Sequence, residues 1–415
     1  MGRGARERVL SHLNVGRKVA YPAKLFGEPW AVKIQAYAIV AIQGSNMTTM
    51  KGDRPRLMVL LGAGASAHAG VPSTEAVTER VGQLDNAAIK AIVNSFKAKG
   101  WAGFNFETVM AALEDLQEYQ EACRFPGRGT RGTLSMFTEL APEYVGFAYD
   151  GEPLHVFNTR IALLSGIFDF FIRGTPQQHP DRLQGFVDRL RRDFELTVLT
   201  LNYDDLIDRT GAWFDGFATS NESADYEVFN PGQFVERVAT EPNVLLHLHG
   251  SVRFGRTLRS GTDIVKYHSV EAARAALIGG ERSPQWAVPI VSGHQKERWL
   301  QRYVAPLGYY YNAFVNTAVS TPLWLIAGYG ANDVHVNTWV MESMRMQKEE
   351  ARVVHIDRKD MGTGSSESLG PPEFLPGFSS AGQPRLKPCY GARDGDFPPH
   401  RDALEAIMAF LQDTP

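Results

Sequence analysis

Short, unbroken apolar runs recur along the chain, and each stops at glycine or at polar residues. They are RLMVLLG (56–62), LTVLTLNYD (196–204), NVLLHLHG (243–250), PLWLIAGYG (322–330) and ARVVHID (351–357), with VPIVSG (288–293) a weaker case. Continuous rather than alternating hydrophobicity predicts strands buried on both faces, as in a parallel sheet. Helical spacing fills much of the sequence between them, over 86–122, 154–172 and 180–194 and in QRYVAPLGYYYNAFVNTA and VHVNTWVMESMRMQKE. In the first of these, Phe106, Val109, Met110, Leu113 and Leu116 share one face. Ser73 or Thr74 can cap the helix after the first run, with Glu75 in its first turn. Strands alternating with helices predict an α/β fold.

The same pattern divides the chain. Residues 75–194 read as a mostly helical insertion between the first two strands, forming a second, smaller subdomain within a main domain over 56–360. Residues 361–399 are rich in Gly, Ser and Pro and read as irregular, ahead of an amphipathic closing helix, RDALEAIMAFLQ. Residues 1–55 show no clear period and are an N-terminal arm of unclear role. Met47 and Met50 precede the first strand, so a genuine arm and an over-long start both stay open.

Composition narrows the function classes. With 415 residues, 44% hydrophobic, 21% charged and a net charge of −3, the chain reads as an ordinary globular protein. That balance gives no argument for direct nucleic-acid or membrane-surface binding. The two cysteines, Cys123 and Cys389, form neither a disulfide framework nor a zinc cluster, so a reducing cytoplasm is expected. AVKIQAYAIVAIQ (31–43) comes nearest to a membrane span and is broken by Lys33 and Gln35.

The unusual polar residues gather at the carboxyl ends of the predicted strands, where parallel α/β sheets bind ligands. Gly62 and Gly64 in VLLGAGASAHAGVPS would let backbone approach a pyrophosphate, and Ser66 would add a hydroxyl. Gly70 would let the next helix lie close to a neighbour. The spacing departs from the dehydrogenase fingerprint, because Ala67 stands at the third glycine, and no Walker lysine follows. A tight turn without ligand is the competing reading. TLNYDD (200–205) and HLHG (247–250) end the next two runs with an amide, an acid and a histidine. Those are the groups that cleavage of a nucleotide's glycosidic bond uses: a carboxylate facing cationic charge, an amide holding water or a hydroxyl, an imidazole taking a proton.

These elements, in this order, resemble the sirtuin (silent information regulator) family. GAGASAHAGVP resembles its Gly-Ala-Gly-x-Ser element, TLNYD its Thr-Gln-Asn-Ile-Asp, HG (249–250) its His-Gly, GYG (328–330) its Gly-Thr-Ser, and HID (355–357) its late strand end. The resemblance implies a sirtuin-like, Rossmann-type parallel sheet with NAD+ as substrate. By it, Gly62, Ala63, Gly64 and Ser66 would hold the phosphates. Asn202 and Asp204 would line the nicotinamide–ribose pocket, and His249 would be the general base. Gly328 and Tyr329 would meet the adenosine half, with Asp357 near the adenine ribose.

Departures point away from protein deacylases. GVPSTEA replaces Gly-Ile-Pro-Asp-Phe-Arg, Leu201 replaces the glutamine before Asn202, and no cysteine falls between 123 and 389, so no zinc is expected. NFETVMAALEDL and GYGANDVHVN, with Asp333 and Asn337, resemble the zinc-free prokaryotic anti-phage branch instead. That resemblance implies an NAD+ glycohydrolase releasing nicotinamide and ADP-ribose, the NAD-depleting effector of an abortive-infection system. It would be gated by homo-oligomerisation or by a partner such as a HerA-type DNA-translocating ATPase or an Argonaute-type protein. A deacylase or ADP-ribosyltransferase, and a non-catalytic NAD or ADP-ribose module, are the alternatives. More ordinary roles are expected elsewhere: His247 in the core or behind the site, His68 and SVRFGR (251–256) in solvated loops, Asp205 and Asp208 capping or solvating a helix. The Tyr309–Tyr311 run would be buried, and Lys296 has a weak claim to a phosphate.

Overall fold

The structure is a computed structural model that describes residues 54–101, 103–124, 154–174, 181–219, 224–255, 264–278, 305–347, 350–357, 385–390, 397–399 and 401–412. All fall within one compact unit, Gly52–Pro415. The weak strand 288–293, Lys296 and nearly all of the arm lie outside the described residues.

Strand β1 (Arg56–Leu61) leads into a short helix, α1 (Ala63–Ala67). Helices α2 (Thr74–Gly82), α3 (Ala87–Ala98), α4 (Phe106–Arg124), α5 (Leu154–Gly174) and α6 (Asp181–Asp193) come before β2 (Glu195–Thr200). Ser73 caps α2 by accepting from the Ala76 N–H at 3.2 Å, and Glu75 sits in its first turn. After a 3-10 turn (Asp208–Thr210) come β3 (Phe217–Thr219), β4 (Tyr226–Phe229), α7 (Pro231–Arg237), β5 (Asn243–His247), β6 (Phe254–Gly255), β7 (Val265–Tyr267) and α8 (Val270–Ile278). The chain ends with α9 (Leu307–Ser320), β8 (Leu323–Ala327), α10 (Val334–Gln347), β9 (Arg352–Asp357), β10 (Arg385–Tyr390) and α11 (Arg401–Gln412).

Six strands form one parallel sheet in the order β10-β9-β8-β1-β2-β5. Counted along the chain this is 3-2-1-4-5-6 read from the β5 edge, the Rossmann order. Alternate residues of β1 divide between two apolar clusters: Leu57, Val59 and Leu61 join one, Met58 and Leu60 the other. β8 divides in the same way, Leu323 and Leu325 against Trp324 and Ile326. The sheet is therefore covered on both faces, which is why its strands read as solid apolar runs. Helices α2 to α6 and α11 contribute to the first cluster; α7, α9 and α10 contribute to the second.

Two features differ from the expectation. Arg385–Tyr390, inside the segment expected to be irregular, is the sixth strand of the sheet, paired with β9. A second sheet, antiparallel and ordered β3-β4-β7-β6, stands between β2 and β8 in the sequence. Its strands are two to four residues long, too short for a period-2 pattern to show. No helix among the described residues is long and apolar enough to cross a membrane.

Candidate functional site at the switch point of the sheet

The connections leave β1 in one direction and β8 in the other, and the crevice of a doubly wound sheet opens where they part. Here the loops after these strands touch backbone to backbone. Gly62 N–H donates to Ala327 O at 2.9 Å, Gly64 N–H to Gly328 O at 2.9 Å, and Gly328 N–H to Ile356 O at 2.9 Å. A Cβ at Gly62 would lie 2.5 Å from Gly328 O, and one at Gly64 would lie 2.8 Å from the Gly328 Cα. Loop-to-loop packing is thus a requirement on these glycines in its own right, beside the pyrophosphate approach expected for them. Gly70 also differs: nothing lies within 4 Å of its Cβ position, and its role is the positive φ of 81° that ends the turn. Ala63 is exposed at the start of α1, while Ser66 is buried on the inner side.

The end of β2 is tied to this loop. Asn202 Nδ2 donates to Gly62 O and to Ser66 Oγ, both at 2.9 Å. Asp204, 2% exposed, accepts from Leu206 N–H at 3.1 Å. Burial pushes the Asp204 carboxyl up to about 6, against the opposing pull of the Ser66 hydroxyl and the Leu206 N–H. Asn202 Oδ1 and Asp204 Oδ2 are buried acceptors with no hydrogen-bond donor. Buried acceptors are normally satisfied, and each orphan costs roughly 1–3 kcal/mol.

The end of β5 runs beside that of β2. Leu248 N–H donates to Thr200 O at 3.1 Å, and Val252 N–H to Tyr203 O at 2.7 Å. His249 lies just past this strand, 3% exposed. Its Nε2 is 3.3 Å from His335 Nε2 and 3.6 Å from Asp333 Oδ1. Asp333 precedes α10 and takes the Val336 and Asn337 N–H groups on its backbone oxygen, while His335 is in the first turn. His335 was not foreseen: it sits inside a helical pattern, with no strand-end position to mark it. Tyr311 on α9 steadies it, its hydroxyl donating to His335 O at 3.2 Å.

The remaining predicted residues separate into lining and support. Tyr329 is 4% exposed and its hydroxyl bonds Asn337 Oδ1 at 2.7 Å, while Asn337 Nδ2 donates to Ala331 O at 2.7 Å. Tyr329, Asp333 and Asn337 therefore shape the loop after β8. Burial, with Asp333 nearby, pushes the Tyr329 hydroxyl far up and keeps it protonated. Asp357 closes β9, opposite Tyr390 in register.

Several ordinary roles need correction. Asp208, expected to cap or solvate a helix, is buried in a charge cluster with Lys266 Nζ at 2.6 Å, His247 Nε2 at 3.0 Å and Arg253 Nη1 at 3.5 Å. Lys266 also reaches Asp215 Oδ2 at 2.5 Å. Burial alone would raise the Asp208 carboxyl, but Lys266, His247 and Arg253 hold it well below the usual range. Arg253 of the supposed solvated loop also bonds Tyr267 O at 2.7 Å. His68 is half-buried, its ring edge-on to Phe397. Asp205 forms a two-point pair with Arg209 on the next turn. Tyr310 is buried as expected, its hydroxyl on Asp215 O at 2.7 Å.

Residues 196–369 match the family model described as SIR2-like domain. No match to the chain is found among curated proteins. Solved structures similar to it include a Sir2 enzyme studied for mechanism and regulation, with TM-score 0.34 and 13% identity over 78% of this chain and 85% of that one. Another is Sir2 with the inhibitor EX-527, 2'-O-acetyl-ADP-ribose and deacetylated p53 peptide, with TM-score 0.31 and 12% identity over 74% and 83%. A third is Sir2 with p53 peptide and NAD+, with TM-score 0.29 and 13% identity over 73% and 81%. Superpositions this loose add nothing to the strand order and the site geometry. From the matched segment, the chain contains a sirtuin-like domain.

Proposed function

We propose that this sirtuin-like chain is an NAD+ glycohydrolase that cleaves the nicotinamide–ribose bond with water, giving nicotinamide, ADP-ribose and a proton. The observation that carries the reading is the pair of orphaned buried acceptors, Asn202 Oδ1 and Asp204 Oδ2, beside the glycine loop at the switch point. A ribose hydroxyl or a water supplies the donors they lack. Asn202 is already fixed by Gly62 O and Ser66, so its oxygen holds a water in place without reorganising. Asp204 is mostly ionised at neutral pH, given a value near 6, and its charge favours the oxocarbenium-like transition state. His249 takes the proton that water loses.

Departures from the deacylase pattern at 73–76 and at Leu201 support water as acceptor over an acyl-lysine peptide. A hydrolase of this kind running freely would exhaust its host's NAD, so the reading includes a gate. The resemblance to anti-phage effectors supports a cytoplasmic, oligomeric protein switched by a partner such as a HerA-type ATPase or an Argonaute-type protein. Incubating the full chain with NAD+ alone should release nicotinamide and ADP-ribose in equal amounts, read by chromatography. Asn202→Ala and His249→Ala should each lower the rate at least a hundredfold with an unchanged circular dichroism spectrum. Release that requires an acetylated peptide would sink the hydrolase reading.

A further inference from the structure

We infer that His249, Asp333 and His335 form a binding site for a divalent transition ion of the zinc class, and that filling it switches the hydrolase off. The three residues come from two strand ends, His249 after β5 and the other two after β8, and each offers one ligand atom. Those atoms all lie within 4.8 Å of one another, the only such His/Cys/Asp/Glu group among the described residues. Two imidazole nitrogens on one tetrahedral zinc, at bonds of about 2.0–2.1 Å, stand about 3.3 Å apart. The two Nε2 atoms are 3.3 Å apart.

A hydrogen bond between the imidazoles would explain that pair and nothing more. Asp333 Oδ1 stands 3.6 Å from the same His249 nitrogen, so the carboxylate is close to the imidazole pair as well. An ion uses all three groups. Two imidazoles and a carboxylate suit zinc, cobalt or nickel better than magnesium or calcium, which prefer all-oxygen shells. Three protein ligands leave a fourth position for water.

The inhibitory half rests on the hydrolase reading. A metal on His249 Nε2 occupies the lone pair that would accept water's proton. The ligands span the loops after β5 and β8, so the ion also pins two edges of the crevice to each other.

Cobalt(II) is the probe, because a four-coordinate site gives it strong visible absorption and a hexaaqua ion does not. Titrating the full chain should give that absorption at one equivalent, displaced by zinc. Asn202→Ala, which removes hydrolysis in the reading above, should bind cobalt as the native chain does. His335→Gln and Asp333→Asn, both near in shape to the residues they replace, should each weaken binding at least tenfold. A six-coordinate spectrum, or equal affinity in both variants, would overturn the site. In the activity arm, stoichiometric zinc should slow NAD+ cleavage by the native chain at least tenfold, and a chelator should restore it. Unchanged or faster cleavage with metal bound would overturn the inhibition. If metal-free protein cleaves no NAD+ at all, the hydrolase reading and the inhibition fall together, while the cobalt spectrum still decides the site.

Discussion

A methyl group added at Gly328 would lie 2.1 Å from the Ala65 nitrogen, on a backbone with φ of 60°. Neither the clash nor the conformation can relax without parting two strand ends. Gly328→Ala should therefore destabilise the fold by roughly 3–5 kcal/mol, measured by urea unfolding without ligand. A glycine kept only for a ligand's approach would lose binding and little stability. Asp204 behaves oppositely. Its folded value near 6 lies above an unfolded value near 4, so the native state holds the extra proton between them. Stability falls as pH rises through that window, by about 3 kcal/mol in all, and the loss persists at pH 7. Asp204→Asn should thus raise stability at pH 7 by about 2–3 kcal/mol, leave it nearly unchanged at pH 4, and still cut NAD+ cleavage. Thermal melts at the two pH values check the first pair. In the native chain kcat/KM should fall below pH 6 as this carboxylate protonates.

Among the elements, the short antiparallel sheet is joined to the main one by charge. Lys266 on β7 answers Asp208 beyond β2 and Asp215 before β3, all three nearly inaccessible. Lys266→Met takes the cation from Asp215 and leaves Asp208 to His247 and the longer contact with Arg253, and should cost about 3–5 kcal/mol in urea unfolding. Lys266 and Asp208 stand far apart in sequence, so neither was legible as a buried partner. The strands of the main sheet were legible where both faces are apolar: 56–61, 196–200, 243–247, 323–327 and 352–357. β10 was not. Lys387 and Pro388 interrupt it, and proline is tolerated because β10 is, among the described residues, the sheet's edge, paired with β9 alone. The amide, acid and histidine at strand ends were legible for the same reason as the strands. His335 and the loop-to-loop use of the glycines were not, since both depend on contacts across more than eighty residues.

At the scale of the molecule, the carboxyl-terminal stretch completes the sheet and one of its cores. Leu404, Ile407, Met408 and Leu411 join the first apolar cluster, Glu405 pairs with Arg189 at 2.9 Å, and the buried Arg352 donates to Leu411 O at 2.9 Å. Ending the chain after Asp357 exposes the β9 edge and the part of that face that α11 covers. Such a truncation should be recovered mainly as aggregate, and its soluble fraction should lose amide-exchange protection in β9.

β1 lies in the middle of the sheet, yet one of its two neighbours, β8, is made about 260 residues later. At roughly 5–20 residues per second of synthesis, that is a wait of about 13–50 s. Throughout it, this apolar strand of the nascent chain has a single neighbour at best, and the loop carrying Gly62 and Gly64 lacks the Ala327 and Gly328 carbonyls it closes against. A chain in this state is a natural client for chaperones. It also lacks the segment bearing Gly328, Asp333 and His335, so a prematurely terminated product cannot assemble the crevice. Late pairing of a central strand thereby leaves the crevice to be built only once the chain has been made past β8.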